Sequence, residues 1–270
     1  MSNDLRYIQL GNTRFACSIH GEGEPLLLIT GFAALMDYWG LPFINMLSSG
    51  FRVIVFDNRG MGGSERGTAP FSIEQFAKDS ADILDALSIE SAHVLGWSMG
   101  SFITQELALN YPDKVNKIVL YATSCGGAEA QMPSPEVTRR LFDTTGTPEE
   151  MTQRALDLMF PSSWLKENPV FAKGFTSSPM KVYVQHMETI REQVKAIISW
   201  GGTYSRLKDL KKETLLLTGT EDYIVPLSNS EMMRGLLPDA SLEQIEGGGH
   251  GMIYQFPEKI AQVVMNFLGQ

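Results

Sequence analysis

The strongest pattern along the chain is a set of short, unbroken apolar runs. Pro25-Leu26-Leu27-Leu28-Ile29-Thr30, Arg52-Val53-Ile54-Val55-Phe56-Asp57, the run from His93 to Trp97, Lys117-Ile118-Val119-Leu120-Tyr121-Ala122 and Glu213-Thr214-Leu215-Leu216-Leu217-Thr218 lack the polar alternation of a half-exposed strand. Runs of this kind suit strands covered on both faces, as in a parallel sheet. Ala240 to Ile245 supplies a last strand, and Tyr7 to His20, alternating loosely around Gly11-Asn12, predicts an opening antiparallel hairpin.

Helical patterns separate the runs. Ser72 is an N-cap with Gln75 in the reciprocal capping position, leading into Phe76, Ile83, Leu84 and Leu87. Ser101 to Tyr111 and Ser228 to Leu237 predict two more helices. Pro257 opens a closing amphipathic helix with Ile260, Val263, Val264 and Phe267 on one face. The alternation lapses once, from Cys125 to Leu207, where helical stretches are broken by Pro133, Pro135, Pro148, Pro161, Pro169 and Pro179. The order predicts an α/β protein with a mostly parallel, doubly wound sheet. Residues 1–124 and 208–270 form its core, and 125–207 an inserted all-helical segment.

Composition narrows the setting. A chain of 270 residues, 43% hydrophobic and 20% charged, is large enough for one core plus an insertion. The net charge of −9, with no basic stripe, argues against nucleic acid and anionic membrane surfaces as partners. The start, Met1-Ser2-Asn3-Asp4-Leu5-Arg6, lacks a basic segment followed by an apolar run, so a cytoplasmic location is expected. Cys17 and Cys125 are too few for a disulfide framework or a thiolate zinc site, and are read as buried small residues. No cofactor and no metal are expected, and composition leaves the oligomeric state open.

Candidate chemistry centres on Gly96-Trp97-Ser98-Met99-Gly100, where a strand meets a helix. Small residues at 96 and 100 allow a tight reversal that pushes Ser98 outward over a helix N-terminus. A serine hydroxyl is a poor nucleophile at neutral pH and needs a base and a group to orient that base. In an open parallel sheet such groups collect at the carboxyl ends of strands. Asp222 and His250, the latter among Gly247, Gly248, Gly249 and Gly251, follow the last two strands. Glu221 competes with Asp222 but is read as facing solvent. His20, His93 and His186 suit surface or structural roles. Asp57 and the glycine-rich Asn58 to Ser64 form a structural turn, because the loop lacks both the Gly-Lys-Ser/Thr ending and the dinucleotide spacing.

The order Ser98, Asp222, His250, together with Leu28-Ile29-Thr30-Gly31-Phe32, Phe56-Asp57-Asn58-Arg59-Gly60-Met61-Gly62-Gly63-Ser64, Thr218-Gly219-Thr220-Glu221-Asp222 and Gly248-Gly249-His250-Gly251, resembles the α/β-hydrolase family over nearly the whole chain. The resemblance implies about eight strands, a helical cap from residues 125–207, a catalytic triad, and an oxyanion hole from the backbone N–H groups of Phe32 and Met99. Thr30 stands where many relatives have histidine, which leaves a backbone donor intact but changes the surrounding hydrogen bonds. Met151, Met159, Phe160, Trp164, Met180, Met187 and Trp200 provide an apolar roof, with Trp97, Trp164 and Trp200 as candidate pocket residues. The implied activity is carboxylesterase-like: cleavage of small, largely apolar esters or lactones through a Ser98 acyl-enzyme. Carbon–carbon bond hydrolysis, aminopeptidase and perhydrolase chemistry use the same triad, and a ligand receptor on this fold is the non-enzyme alternative. Dehalogenases and epoxide hydrolases need aspartate where Ser98 stands.

Overall fold

A computed structural model describes residues 5–143, 145–175 and 179–269. The strands are β1 (Arg6–Leu10), β2 (Thr13–His20), β3 (Glu24–Ile29), β4 (Phe51–Phe56), β5 (Ala92–Trp97), β6 (Val115–Tyr121), β7 (Thr214–Gly219) and β8 (Ala240–Ile245). They form one sheet in the order β1-β2-β4-β3-β5-β6-β7-β8, with β2 antiparallel to β1 and β4 and all other pairs parallel. The hairpin turns at Gly11 with φ +56°, a conformation that suits glycine.

The apolar runs cover both faces. Leu27, Ile29, Val94, Ile118 and Leu216 pack under α2 (Ile73–Ala86) and α3 (Met99–Asn110). Their neighbours Leu26, Leu28, Leu95, Val119 and Leu217 pack on the other face, against residues of α1 (Leu41–Leu47) and the closing helix (Pro257–Leu268). Period-two side-chain placement therefore persists although both sets are apolar. Helix α1 had no counterpart in the sequence pattern. It is short, begins at Gly40 with no side-chain cap, and buries Phe43, Ile44 and Leu47. At the start of α2, Ser72 accepts the Gln75 N–H as expected. The Gln75 amide, however, donates to Asp79 Oδ1 at 2.9 Å rather than completing the reciprocal cap. Asp79 draws it because that carboxylate is buried in an ion pair with Arg59.

Between β6 and β7 lie α4 (Pro135–Phe142), α5 (Pro148–Met159), α6 (Ser162–Glu167), α7 (Pro169–Phe175) and α8 (Pro179–Ser199), the last kinked at His186. Then come α9 (Leu227–Arg234), α10 (Met252–Gln255) and α11, the closing helix. Among the described residues no helix is long and apolar enough to cross a membrane.

The two connections of this helical insertion are tied to α3 by adjacent buried side chains. Gln105 donates to Thr123 Oγ1 at 3.1 Å and to the Ser124 carbonyl at 3.0 Å, and accepts from the Thr203 hydroxyl at 2.5 Å. Glu106 accepts from Trp200 Nε1 at 2.8 Å, from Asn110 at 2.9 Å and from the Arg206 guanidinium. Burial alone raises the Glu106 pKa, but the bonds from Arg206, Trp200 and Asn110 outweigh it and hold the carboxyl below its ordinary value. Glu106→Gln should cost about 1.5–3 kcal/mol by urea denaturation at neutral pH, the range for hydrogen bonds to charged groups. A depressed pKa means the folded state favours the ionised form. The contribution is therefore complete above 4.5, the unshifted glutamate value, and is lost as pH falls through the lower folded-state value. The gap between variant and parent should close over that acid range.

Candidate active site

Ser98 sits between β5 and α3 with φ 55° and ψ −120°, left-handed backbone that an L-residue adopts at a cost of about 1–3 kcal/mol. The conformation is held from several sides. Ser98 N–H donates to the Tyr121 carbonyl at 2.9 Å, and the Ser98 carbonyl accepts from Ser101 N–H at 2.8 Å and the Ser101 hydroxyl at 2.6 Å. A Cβ at Gly100 would lie 2.0 Å from the Ile29 carbonyl oxygen, and one at Gly96 would lie 2.2 Å from the Gly100 carbonyl oxygen. Both positions thus require glycine for close backbone approach. Among the described residues four non-glycine positions have positive φ; three of them, Ala33, Ser98 and Ala122, lie at this edge of the sheet, so the backbone strain is concentrated here.

Asp222 and His250 meet at the same edge. Asp222 Oδ2 accepts from His250 Nδ1 at 2.9 Å, while Oδ1 accepts the N–H groups of Ile224 and Val225, each at 2.9 Å. A carboxylate only accepts, so the proton lies on Nδ1 and Nε2 is left as the basic nitrogen. Glu221, the competitor, receives the Tyr223 hydroxyl at the surface. Glycine at 249 lets the histidine loop lie against the insertion, since a Cβ there would fall 2.6 Å from the Met159 carbonyl oxygen.

The other histidines have partners elsewhere. His20 Nε2 bonds Ser18 Oγ at 2.8 Å. His93 Nδ1 accepts from Lys117 N–H at 3.3 Å, so its Nε2 donates to Glu24 at 3.0 Å. His186 Nδ1 donates to the Gly60 carbonyl at 3.1 Å. Asp57 joins its turn to the segment after β3, accepting from Gly63 N–H at 2.9 Å and Met36 N–H at 2.8 Å; burial raises its pKa.

Ser98 and His250 border one cavity of about 430 Å³. Phe32 and Met99 border it too, and among the described residues neither N–H is taken by a protein acceptor. A Cβ at Gly31 would come within 3.2 Å of Ser98 Cβ, so glycine there keeps this loop close to the serine. The Thr30 carbonyl and hydroxyl each accept from the Asn58 amide at 3.2 Å, and Gln193 of α8 accepts Ala33 N–H at 2.9 Å. Asn58 and Gln193 escaped sequence reasoning because nothing local ties either to residues 30–33.

The walls are mainly apolar, with Phe102, Leu141, Met151, Leu158 and Ile197 prominent. The expected roof is only partly right. Met151, Met159 and Trp200 line the cavity, whereas Trp164, Phe160 and Met187 do not. Trp164 instead stacks on Phe160 at 5.3 Å, in an aromatic cluster with Phe171, Phe175 and Tyr254. The side chain of Met180 lies outside the described residues. Trp200 stacks on Phe102 at 4.9 Å. Trp97 borders the cavity but is only 3% exposed, packed between Trp39 and Tyr121. Two arginines also border it, each paired: Arg140 with Asp157 at 2.9 Å, and Arg154 with Asp143 at 3.1 Å.

A mostly parallel sheet carrying a strained serine between strand and helix, with an Asp–His pair on the same rim, defines an α/β hydrolase. The chain belongs to the alpha/beta hydrolase fold family, whose profile matches residues 24–257. It is 28% identical over 266 residues to a protein named carbamate hydrolase RutD from Azorhizobium caulinodans, covering 98% of this chain and 99% of that one. It is 30% identical over 256 residues to a poly(3-hydroxyalkanoate) depolymerase from Ectopseudomonas oleovorans, covering 91% of this chain and 84% of that protein. Its fold is similar to that of a meta-cleavage product hydrolase from Pseudomonas fluorescens IP01, with TM-score 0.85, 24% identity, and coverage of 98% and 97% of the two chains.

Proposed function

We propose that this hydrolase cleaves small, neutral, largely apolar carboxylic esters or lactones through a Ser98 acyl-enzyme. The observation that carries the reading is the shared cavity: Ser98 and the Asp222-oriented His250 open into one mainly apolar space. In this mechanism Ser98 Oγ attacks the carbonyl carbon as His250 Nε2 takes its proton. The tetrahedral oxyanion accepts from the N–H groups of Phe32 and Met99. Collapse expels the alcohol, which takes the proton from His250. Water, activated by the same imidazole, then releases the acid and regenerates Ser98. The Ser98–His250 hydrogen bond forms with substrate in place, since such contacts tighten in the reacting complex.

Charge pairing supports a neutral substrate. Arg140 and Arg154 are neutralised by Asp157 and Asp143, so a substrate carboxylate entering the cavity would have to compete with two existing ion pairs. Residues 125–207 act as a cap over the serine in this reading. A cytoplasmic location suits the two buried free thiols, Cys17 and Cys125. The relative named as a carbamate hydrolase supports a second reading, cleavage of a neutral carbamate at the same carbonyl.

The test is a panel of 4-nitrophenyl esters, lactones, neutral carbamates and anionic half-esters of matched length. Neutral esters or lactones should be turned over at least about tenfold faster in kcat/KM than the anionic ones, equivalent to about 1.4 kcal/mol. Faster turnover of the half-esters would overturn the substrate reading, and preference for the carbamate would favour the second.

A further inference from the structure

We propose that Tyr121, together with Trp97, braces the serine and the histidine against each other, making both residues positioning elements of the reaction. The inference rests on the Ser98–His250–Asp222 reading and goes beyond it by assigning what sets the spacing of its first two members.

Tyr121 ends β6 and meets the site from both its main chain and its side chain. Its carbonyl accepts Ser98 N–H at 2.9 Å. Its hydroxyl donates to the His250 carbonyl at 2.8 Å and accepts Ile253 N–H at 3.3 Å, on the segment just after the histidine. Trp97, the register partner of Tyr121 across β5 and β6, directly precedes Ser98. Its indole N–H donates to the same His250 carbonyl at 3.2 Å. The two rings stack at 5.4 Å and 10°. Two neighbouring strand ends thus hold one carbonyl, and the same two strand ends hold the serine.

The need for such a brace follows from the histidine loop. It is built on Gly247, Gly248, Gly249 and Gly251, which give the backbone little stiffness of its own. Productive proton transfer tolerates displacements of only about 0.5 Å, so the loop needs support from a rigid element. β5 and β6 lie inside the sheet, each paired with a strand on both sides. Tyr121 is 1% exposed, and an unused hydroxyl in such surroundings would be costly. Its hydroxyl is instead engaged on both its donor and acceptor sides, among the described residues only by the histidine segment. Burial also raises its pKa, keeping the donor protonated.

The test compares Tyr121→Phe, Trp97→Phe, the double variant and Ser98→Ala, using steady-state kinetics on a neutral 4-nitrophenyl ester, thermal melts, and the low-field proton resonance of His250 Nδ1. Tyr121→Phe should lose on the order of 10–100-fold in kcat, the scale of a small misplacement of a reacting group, with KM changed less than about twofold. The Nδ1 proton signal should shift or broaden, and the double variant should lose more than either single. A merely structural hydroxyl would lower Tm while leaving kcat per folded molecule and the proton signal unchanged, which would overturn the brace. Should Tyr121→Phe not fold, Trp97→Phe carries the same test, and parental kcat there would equally overturn it. Parental activity in Ser98→Ala would bring down the triad reading itself. An inactive Ser98→Ala beside a fully active Tyr121→Phe would bring down only the brace.

Discussion

Ser98→Ala should reduce turnover of a neutral aryl ester by on the order of 10⁴-fold or more, because removal of an activated serine from such a unit leaves only the contribution of bound donors. The hydroxyl is the group at the cavity, whereas the turn that presents it is built from main-chain bonds: Ser98 N–H to Tyr121, and Ser101 to the Ser98 carbonyl. Alanine keeps all of these. The variant should melt within a few degrees of the parent and bind a non-hydrolysable ester analogue with little change, since the apolar walls are untouched. Initial rates and a circular-dichroism melt decide it. A residual rate above about one per cent of the parent, far more than the expected loss allows, would reject Ser98 as the nucleophile.

Gly100→Ala should do the reverse, damaging the fold before the chemistry. The added methyl would stand 2.0 Å from the Ile29 carbonyl oxygen and 2.8 Å from that of Thr30, both main-chain atoms at the end of β3. No side-chain rotation relieves such a contact, so β3 or the serine turn must move. The cost should be about 3 kcal/mol or more, at the upper end for overpacking. In a chain of this length that lowers Tm by roughly 6–12 °C. Any folded fraction should also lose activity, because β3 leads into Gly31-Phe32. Gly50→Ala is the control: nothing lies within 4 Å of its Cβ position, and its melt should match the parent. Equal tolerance at the two sites would refute the steric account of the turn.

Both effects belong to one stretch that is visible in the primary structure. The Gly-Trp-Ser-Met-Gly turn is local, since the strand before it, the helix after it and the need for small flanking residues are all legible within a dozen positions. Asp222 and His250 could be picked out because each directly follows an apolar run, and parallel strands bring such positions to one rim. The capping of α2 was half legible. Ser72 finds its N–H three residues on, but Gln75 turns to Asp79, whose buried pairing with Arg59 does not follow from local spacing. Trp164 misled because aromatic content marks a segment as apolar without saying which cluster each ring joins. Its ring chose Phe160 and Phe171 over the cavity.

The sequence by itself therefore determined the sheet, the strained serine turn and the two strand-end residues that pair beside it, because these follow from short-range periodicity and local backbone sterics. Only the tertiary structure decided which side chains line the cavity, that Asn58 and Gln193 hold the loop beside Ser98, and that Tyr121 and Trp97 reach the His250 carbonyl. The physical reason is distance along the chain. Those bonds join residues 28 to 160 positions apart, and whether a buried donor meets one acceptor or another depends on the packing of whole elements, which no local pattern encodes.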